Sequence, residues 1–239
     1  MGVYDLIKKR DRELADQIAG SEQYFCLSPT RWSLYKQLIP LIEQNIKGKC
    51  LDAGAGRTAY EMILQNHASE YIAMDLQPRA GLDVIGSILE LPWLENSFDS
   101  IFCSQVLEHV PDPERAVREF FRVLKPGGFA LISVPHLGYL HNEPHDYFRF
   151  TRHGLRALLQ RHGFEVLTVT SAGGLLSFLG HIPSVVFKAL LFPVPGITRI
   201  FLHANTLYSK GVVWLDERVE KRKIYGLNTI ALARKPEVQ

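Results

Sequence analysis

Apolar and polar positions along this chain switch between two rhythms. Short apolar runs end in turn residues: "KCLDA", "EYIAMD", the weaker "GLDVIGS", "SFDSIFCS", "FALISVP", "FEVLTVT" and "GLNTIALARK". Each run reads as a strand. Between them apolar residues recur at helical spacing. "MGVYDLIKKRDRELADQ" reads as a short amphipathic helix, and residues 28–46 as a second with Pro29 in its first turn. "AYEMILQNH" is a third. "DPERAVREFFRVL" sets Ala116, Val117, Phe120, Phe121 and Leu124 on one face, and "KPGG" stops it. "TRHGLRALLQRHGF" carries Thr151 as its N-cap. Strands alternating with helices predict a parallel-rich α/β sheet, doubly wound, with helices on both faces. Ligands of such sheets bind at the carboxyl ends of the strands. Asp52, Asp75, Ser87, Ser104 and Pro135 all fall at such ends, so the pattern points to one rim.

The rhythm breaks once. Residues 172–187, "AGGLLSFLGHIPSVVF", contain no Asp, Glu, Lys or Arg, and "ALLFPVPGIT" follows Lys188. A membrane-spanning helix needs about 20 apolar residues. Pro183, Pro193 and Pro195 are expected to break these runs, so a span is rejected. Two readings of this insertion stand. It is a helical cap or homodimer contact, or its surface over 172–209 meets a lipid-linked ligand or a membrane. The "DERVEKRK" that follows reads as a solvated helix face. The predicted organisation is N-terminal helices over 1–46 that cap the active site, an α/β core over 47–171 and 223–236, and the insertion over 172–222. Phe25, Trp32 and Tyr35 are core aromatics or complete a ligand pocket.

Composition narrows the picture little. The 239 residues are 46% hydrophobic and 22% charged, with a net charge of +2. No basic footprint asks for nucleic acid. Cys26, Cys50 and Cys103 are scattered, with no C-x-x-C, so neither a disulfide framework nor a zinc ribbon is suggested. A reducing, cytoplasmic compartment fits, with peripheral membrane contact as the insertion's alternative. The N-terminus lacks the apolar segment of a signal peptide.

Chemistry starts at "DAGAGRTA". Gly54-x-Gly56-x-x-Ala59 with Asp75 21 positions after Gly54 satisfies a dinucleotide-binding fingerprint. The same geometry serves any adenosine-containing cofactor. Asp52 separates the two readings: immediately before the turn, a carboxylate is poorly placed beside a pyrophosphate. It suits a ligand whose near end carries an ammonium and a sulfonium, as S-adenosyl-L-methionine does. That ligand has no phosphates to place on a helix N-terminus.

With these residues goes the block "LPWLENSFDSIFCSQVLEHVPDPERAVREFFRVLKPGGFALISVP". From about residue 48 to 170 the chain resembles the class I S-adenosylmethionine-dependent methyltransferases, in their type 11 small-molecule branch. The resemblance implies a Rossmann-like methyltransferase fold with a seven-stranded, mostly parallel sheet and the apolar helical insertion before the last strand. It implies that this last strand is antiparallel and lies between the fifth and sixth. Gly54 and Gly56 would line the methionine part, and Asp52 would sit near its amino group. Asp75 would hold the ribose hydroxyls, Leu76 would pack on the adenine, and Gln105 would close the site where the methyl group leaves. Two positions depart from the family pattern. Thr58 replaces a third glycine, and Ser87 stands where many relatives place an adenine-binding aspartate.

The stretch "HNEPHDYFRFT" follows the fifth strand on the same rim. His141 and His145 are four apart, a metal-pair spacing on a helix. Pro144 argues against a helix there, and no metal is expected. Relatives carry a similar segment, which implies a substrate-side loop. Methyl transfer mainly asks the protein to position the acceptor. A hydroxyl acceptor adds the need for a base. His145 is the first candidate and His109 the second, with Asp146 orienting His145 or pairing with Arg149. His141, Tyr147 and Arg149 are candidate acceptor-binding residues. Glu108 reads as a residue that shapes the helix after the fourth strand. The expectation is an S-adenosylmethionine-dependent methyltransferase acting on a small-molecule, sugar or lipid-linked acceptor, at oxygen. The rivals are an NAD(P)-binding Rossmann oxidoreductase and a catalytically silent binding protein on the same fold.

Overall fold

The computed structural model describes residues 3–191 and 197–237. The chain divides into two compact units, Leu38–Ser171 with Asn228–Gln239, and Met1–Gln37 with Ala172–Leu227. The N-terminal helices and the insertion thus share one unit, with a first boundary at 37 where 46 was predicted.

The first unit is built on a sheet of β1 (Lys49–Ala53), β2 (Glu70–Asp75), β3 (Val84–Ile85), β4 (Phe98–Ser104), β5 (Leu124–Pro135), β6 (Glu165–Ala172) and β7 (Asn228–Arg234). The order is β3-β2-β1-β4-β5-β7-β6. β1 runs parallel to β2 and β4, and β5 is parallel to β4. β7 is antiparallel to β5, with Pro135 opposite Asn228. The predicted order, with the last strand reversed between the fifth and sixth, is the observed one. The chain winds outward from β1 to β3 and then returns to β4. The carboxyl ends of β1 and β4 therefore flank the switch point where such sheets bind ligands.

The central strands are buried on both faces and so read as continuous apolar runs. Leu51, Ile101, Phe102, Leu131 and Ile132 are all fully or almost fully enclosed. α5 (Pro113–Val123) covers one face with Ala116, Val117, Phe120 and Val123. Its N-cap is Asp112, whose Oδ1 accepts the Arg115 N–H at 2.9 Å. Burying Phe120 contributes about 1.5–3 kcal/mol. "KPGG" does end α5, but it is not a loop. β5 begins at Leu124, because Leu124 pairs with Phe98 of β4. Arg122 ties down the "LPW" segment: NH1 donates to Trp93 O at 2.7 Å and NH2 to Leu91 O at 3.0 Å. Glu119 accepts from Arg122 and from the Leu91 N–H. Part of the recognisable sequence block is therefore a structural clamp.

The second unit is helical: α1 (Val3–Ile18), α2 (Glu22–Phe25), the start of α3 (Pro29–Asn45), α7 (Leu175–Leu191) and α8 (Ile197–Val219). Between these in the chain, and in the sheet unit, come α4 (Glu61–Gln65), α5 and α6 (Arg152–Arg161). Pro183 does not break its run as predicted. It lies inside α7, and it removes only one backbone donor from a helix packed on both α1 and α8. Pro193 and Pro195 lie outside the described residues. No described helix is long and apolar enough to cross a membrane.

Buried polar side chains stitch this unit. Asn205 Nδ2 and Ser209 Oγ donate to Cys26 O at 2.8 and 3.1 Å. Two carboxylates from the α8 end cap α7. Glu220 accepts the Leu175 N–H at 2.6 Å, and Asp216 accepts the Leu176 N–H at 3.0 Å and the Ser177 hydroxyl at 2.7 Å. Helix N-termini leave such donors unmet and favour negative charge beside them. Gly174 makes room: a Cβ there would lie 2.5 Å from Glu220 Oε2 and 2.8 Å from Asp216. In the same unit Phe25 stacks on Tyr35, and Trp32 stacks on Tyr35 in turn.

Candidate active site

β1 delivers Asp52 and then turns sharply. Gly54 and Ala55 both donate their N–H to Met74 O, at 2.8 and 2.9 Å. Gly54 has φ +85°, and a Cβ there would meet Val106 Cγ2 at 2.4 Å. Only glycine fits both the backbone and that approach. The approach brings the glycine turn against the segment that follows β4. Thr58, where the third glycine was missed, sits at φ +50°. The turn kept its left-handed geometry with a β-branched residue, at a cost of about 1–3 kcal/mol.

Asp75 ends β2 beside this turn. Its Oδ2 accepts the Gly56 N–H at 2.9 Å and its Oδ1 the Gln77 N–H at 3.0 Å. Both oxygens keep further lone pairs for hydroxyl donors. Leu76 follows with 68% of its surface exposed. Asp52 is buried, and one oxygen accepts from Tyr71 Oη at 2.9 Å. Burial pushes its carboxyl up to about 7, against the pull of the Tyr71 bond. The Tyr71 hydroxyl is itself driven upward by burial and by Asp52. Ser87 is half-buried, and its Oγ accepts the Leu89 N–H at 3.2 Å.

Gln105 leaves β4 in the left-handed region, at φ +59°. Its N–H donates to Ser133 O at 2.8 Å and its Nε2 to Ser133 Oγ at 3.3 Å. Ser104 Oγ lies 2.8 Å from the same Ser133 hydroxyl. This strained residue is held by the ends of β4 and β5, on the rim that also carries Asp52 and Asp75.

The loop after β5 contains no helix over residues 136–151, and its Glu143–Pro144 peptide is cis. The two options for Asp146 resolve in favour of Arg149. Arg149 NH1 and NH2 grip the two carboxylate oxygens at 2.6 and 2.8 Å, and the His141 N–H adds a third bond at 2.7 Å. These partners hold the Asp146 carboxyl well below the usual range, the Arg149 bonds being the largest cause. Asp146 as the residue orienting His145 is therefore corrected, because a bidentate fork from Arg149 and the His141 N–H hold its carboxylate. Four of the five Arg149 N–H donors go to Asp146, Phe148 O and Tyr139 O, while its buried Nε has no partner among the described residues. His145 is exposed, with Nδ1 3.1 Å from Tyr147 Oη.

The loop is sewn to a 3-10 turn, Leu107–His109, directly after β4. Tyr147 N–H donates to Glu108 O at 2.8 Å, and His109 Nδ1 lies 2.6 Å from His145 O. Inside the seam the Glu108 side chain is fully buried. Neither of its carboxylate oxygens has a hydrogen-bond partner among the described residues. Burial pushes its carboxyl up to about 8. His109 and His141 stack edge-to-face with centroids 4.8 Å apart, and burial holds both below the ordinary imidazole range. Sequence reasoning missed Glu108 as a functional candidate. Its signal was an acid flanked by Val106, Leu107 and Val110 at a strand's carboxyl end.

Residues 51–132 match a family described as a methyltransferase domain. An uncharacterized methyltransferase of Mycobacterium sp. (strain KMS) is 34% identical over 93 residues, 35% of this chain and 37% of the relative. The ubiquinone biosynthesis O-methyltransferase of Chromobacterium violaceum is 30% identical over 97 residues, 34% of this chain and 42% of the relative. The aligned stretch spans only a little over a third of these relatives' length. Among solved structures, the [4+2]-cyclase SpnF superposes with TM-score 0.57 at 20% identity, covering 84% of this chain and 81% of that one. A geranyl diphosphate methyltransferase in complex with S-adenosylmethionine superposes with TM-score 0.54 at 15% identity, covering 93% and 94%.

Proposed function

We propose that this chain, which carries a methyltransferase domain at residues 51–132 on the class I methyltransferase fold, transfers a methyl group from S-adenosyl-L-methionine to an oxygen of a small-molecule, sugar or lipid-linked acceptor. One observation carries the reading. A buried carboxyl, Asp52, closes β1 at the switch point beside the glycine turn, where an ammonium is the fitting partner. Asp52 holds the amino group, Gly54 and Gly56 line the methionine part, and Asp75 takes the ribose hydroxyls. Leu76 and Ser87 flank the adenine, and Gln105 faces the departing methyl group. The cofactor supplies an activated methyl group on its sulfonium, and these residues orient it.

On the acceptor side His145 takes the proton of an attacking hydroxyl, with Tyr147 beside it. His109, the second candidate, supports that loop through the His145 carbonyl. The O-methyltransferase among the relatives supports an oxygen acceptor. The exposed Phe178, Leu179, Ile182 and Phe187 of α7 favour a lipid-linked acceptor or a membrane surface over a purely polar one.

Calorimetry with S-adenosylhomocysteine against NAD tests the reading. Binding of the first without the second is expected. Tight NAD binding with no response to S-adenosylhomocysteine would restore the oxidoreductase. A cofactor-binding protein without methyl transfer is the remaining rival. Turnover assays with labelled cofactor separate the two, and His145→Gln is expected to lower kcat by about 100-fold or more while leaving cofactor affinity unchanged.

A further inference from the structure

The seam between the 3-10 turn and the loop after β5 has chemistry that methyl transfer does not use. Glu108, His109 and His141 each offer a ligand atom, and these atoms all lie within 4.8 Å of one another. Glu108 Oε1 is 3.6 Å from His109 Nε2 and 3.9 Å from His141 Nε2. A tetrahedral ion with bonds of about 2.0–2.2 Å sets its ligand atoms roughly 3.3–3.6 Å apart. Both Glu108 edges lie within a few tenths of an ångström of that range, and with the whole set inside 4.8 Å the loop that carries His141 has to move in by about 1 Å at most to complete the triangle.

The hydrogen bonds around the two imidazoles fix which nitrogen faces the cluster. His109 Nδ1 lies 2.6 Å from a carbonyl, His145 O, which can only accept. Nδ1 therefore carries the proton, and Nε2 turns a lone pair toward Glu108. His141 Nδ1 faces Tyr139 O at 3.4 Å and Asp146 Oδ2 at 3.5 Å, two acceptors. Arg149 NH2 is also 3.4 Å away and is a donor. Its two hydrogens are already spent on Asp146 at 2.8 Å and Tyr139 O at 2.9 Å, so the acceptors prevail. His141 Nε2 then also presents a lone pair to Glu108. Metal-ligating histidines show this arrangement, with the far nitrogen donating to a carbonyl or carboxylate.

The remaining argument is the carboxylate. A fully buried acid with neither oxygen bonded is costly unless something completes it. We propose that Glu108 Oε1, His109 Nε2 and His141 Nε2 bind one divalent metal ion of the zinc class. Two imidazoles and one carboxylate suit that class rather than Ca²⁺ or Mg²⁺, which take oxygen ligands. Three protein ligands leave a position for an oxygen, from water or from an acceptor. On the reading proposed above, that position lies on the acceptor side of the rim.

The test uses the full chain, tag-free and stripped with chelator. Titration with Co²⁺ is followed by its visible d–d absorption, and with Zn²⁺ by calorimetry. One equivalent is expected to bind, with bands of a four- or five-coordinate ion. His141→Gln, on the loop, and Glu108→Gln are each expected to weaken binding at least tenfold. His203→Gln, an exposed histidine outside the cluster, is expected to leave it unchanged. If Glu108→Gln fails to fold by circular dichroism, His141→Gln decides alone. Absence of binding at millimolar ion, or equal affinity in wild type and His141→Gln, overturns the site. S-adenosylhomocysteine titrated into the stripped protein reports on the methyltransferase reading separately.

Discussion

The sheet unit and the helical unit solve the burial problem in different ways. In the sheet unit the backbone satisfies its own polar groups through the strand ladder, so the enclosed side chains can be large and apolar, such as Phe98, Phe102 and Phe120. In the helical unit the enclosed groups include Ser177, Ser184, Asn205, Ser209 and Asp216. Their bonds run to distant segments, to backbone as from Asn205 to Cys26 or to side chains as from Ser177 to Asp216. Meanwhile Phe178, Leu179, Ile182, Leu207 and Trp214 stay exposed. The sheet unit rests on a large apolar core, whereas the helical unit adds specific polar stitches to a smaller one around Leu14, Ala15 and Leu27. The chemistry follows the same divide: where the sheet unit encloses a charge-bearing group at its rim, as at Asp52 and Glu108, that group is a candidate for binding.

The sharpest way to break this contrast is to remove packing from the sheet. Phe120→Ala is expected to cost about 3–5 kcal/mol in chemical denaturation, since its site cannot collapse. In the helical unit a polar change should cost nearly as much. Asp216→Ala strands the Leu176 N–H and the Ser177 hydroxyl, and an expected loss of about 2–3 kcal/mol would show that stitches carry that unit. An effect below 0.5 kcal/mol, the scale of ordinary surface changes, would erase the contrast.

At the rim, Asp75→Ala should weaken S-adenosylhomocysteine binding by about 1–3 kcal/mol in calorimetry. Unchanged affinity would show that Asp75 only caps the glycine turn. Asp52 adds a pH dependence of known sign. The unfolded chain ionises this acid near pH 4 and the folded chain near about 7. Its stability contribution therefore falls as pH rises across that window. Binding of an ammonium needs the carboxylate, so affinity should rise with pH and level off above about 7. A gain of roughly tenfold from pH 6 to pH 8 is expected, and Asp52→Asn should flatten it. The smallest effect on stability belongs to the exposed face of α7. Phe178→Ser with Ile182→Ser should change stability by less than about 0.5 kcal/mol each. The same pair should abolish co-sedimentation with anionic vesicles; vesicle binding that survives it would remove α7 from the interaction.

Much of the sheet was legible because its signals are local. Seven apolar runs and their turn residues gave seven strands, and Asp75 follows the glycine turn at a spacing set by one β-α-β unit. Boundaries were less legible. "KPGG" reads as a stop, yet β5 starts before it, because Leu124 finds Phe98 across the sheet. Pro183 reads as a breaker, yet α7 passes through it, because packing on two helices outweighs one lost bond. The candidate site was half legible. Asp52, Gly54, Gly56 and Asp75 stand in one motif. Glu108 and His141 are 33 positions apart, and nothing local pairs them.

The sequence by itself determined the class of fold, the rim that carries the chemistry and the glycine turn. Each depends on patterns of a few residues, which local sterics and burial periodicity enforce. Only the tertiary structure decided which side chains share a charge. It gave Asp146 to Arg149 rather than to His145, and it turned two imidazoles toward a buried carboxylate. Those choices depend on distances between segments far apart in the chain, and on burial, which a residue acquires only once its neighbours are in place.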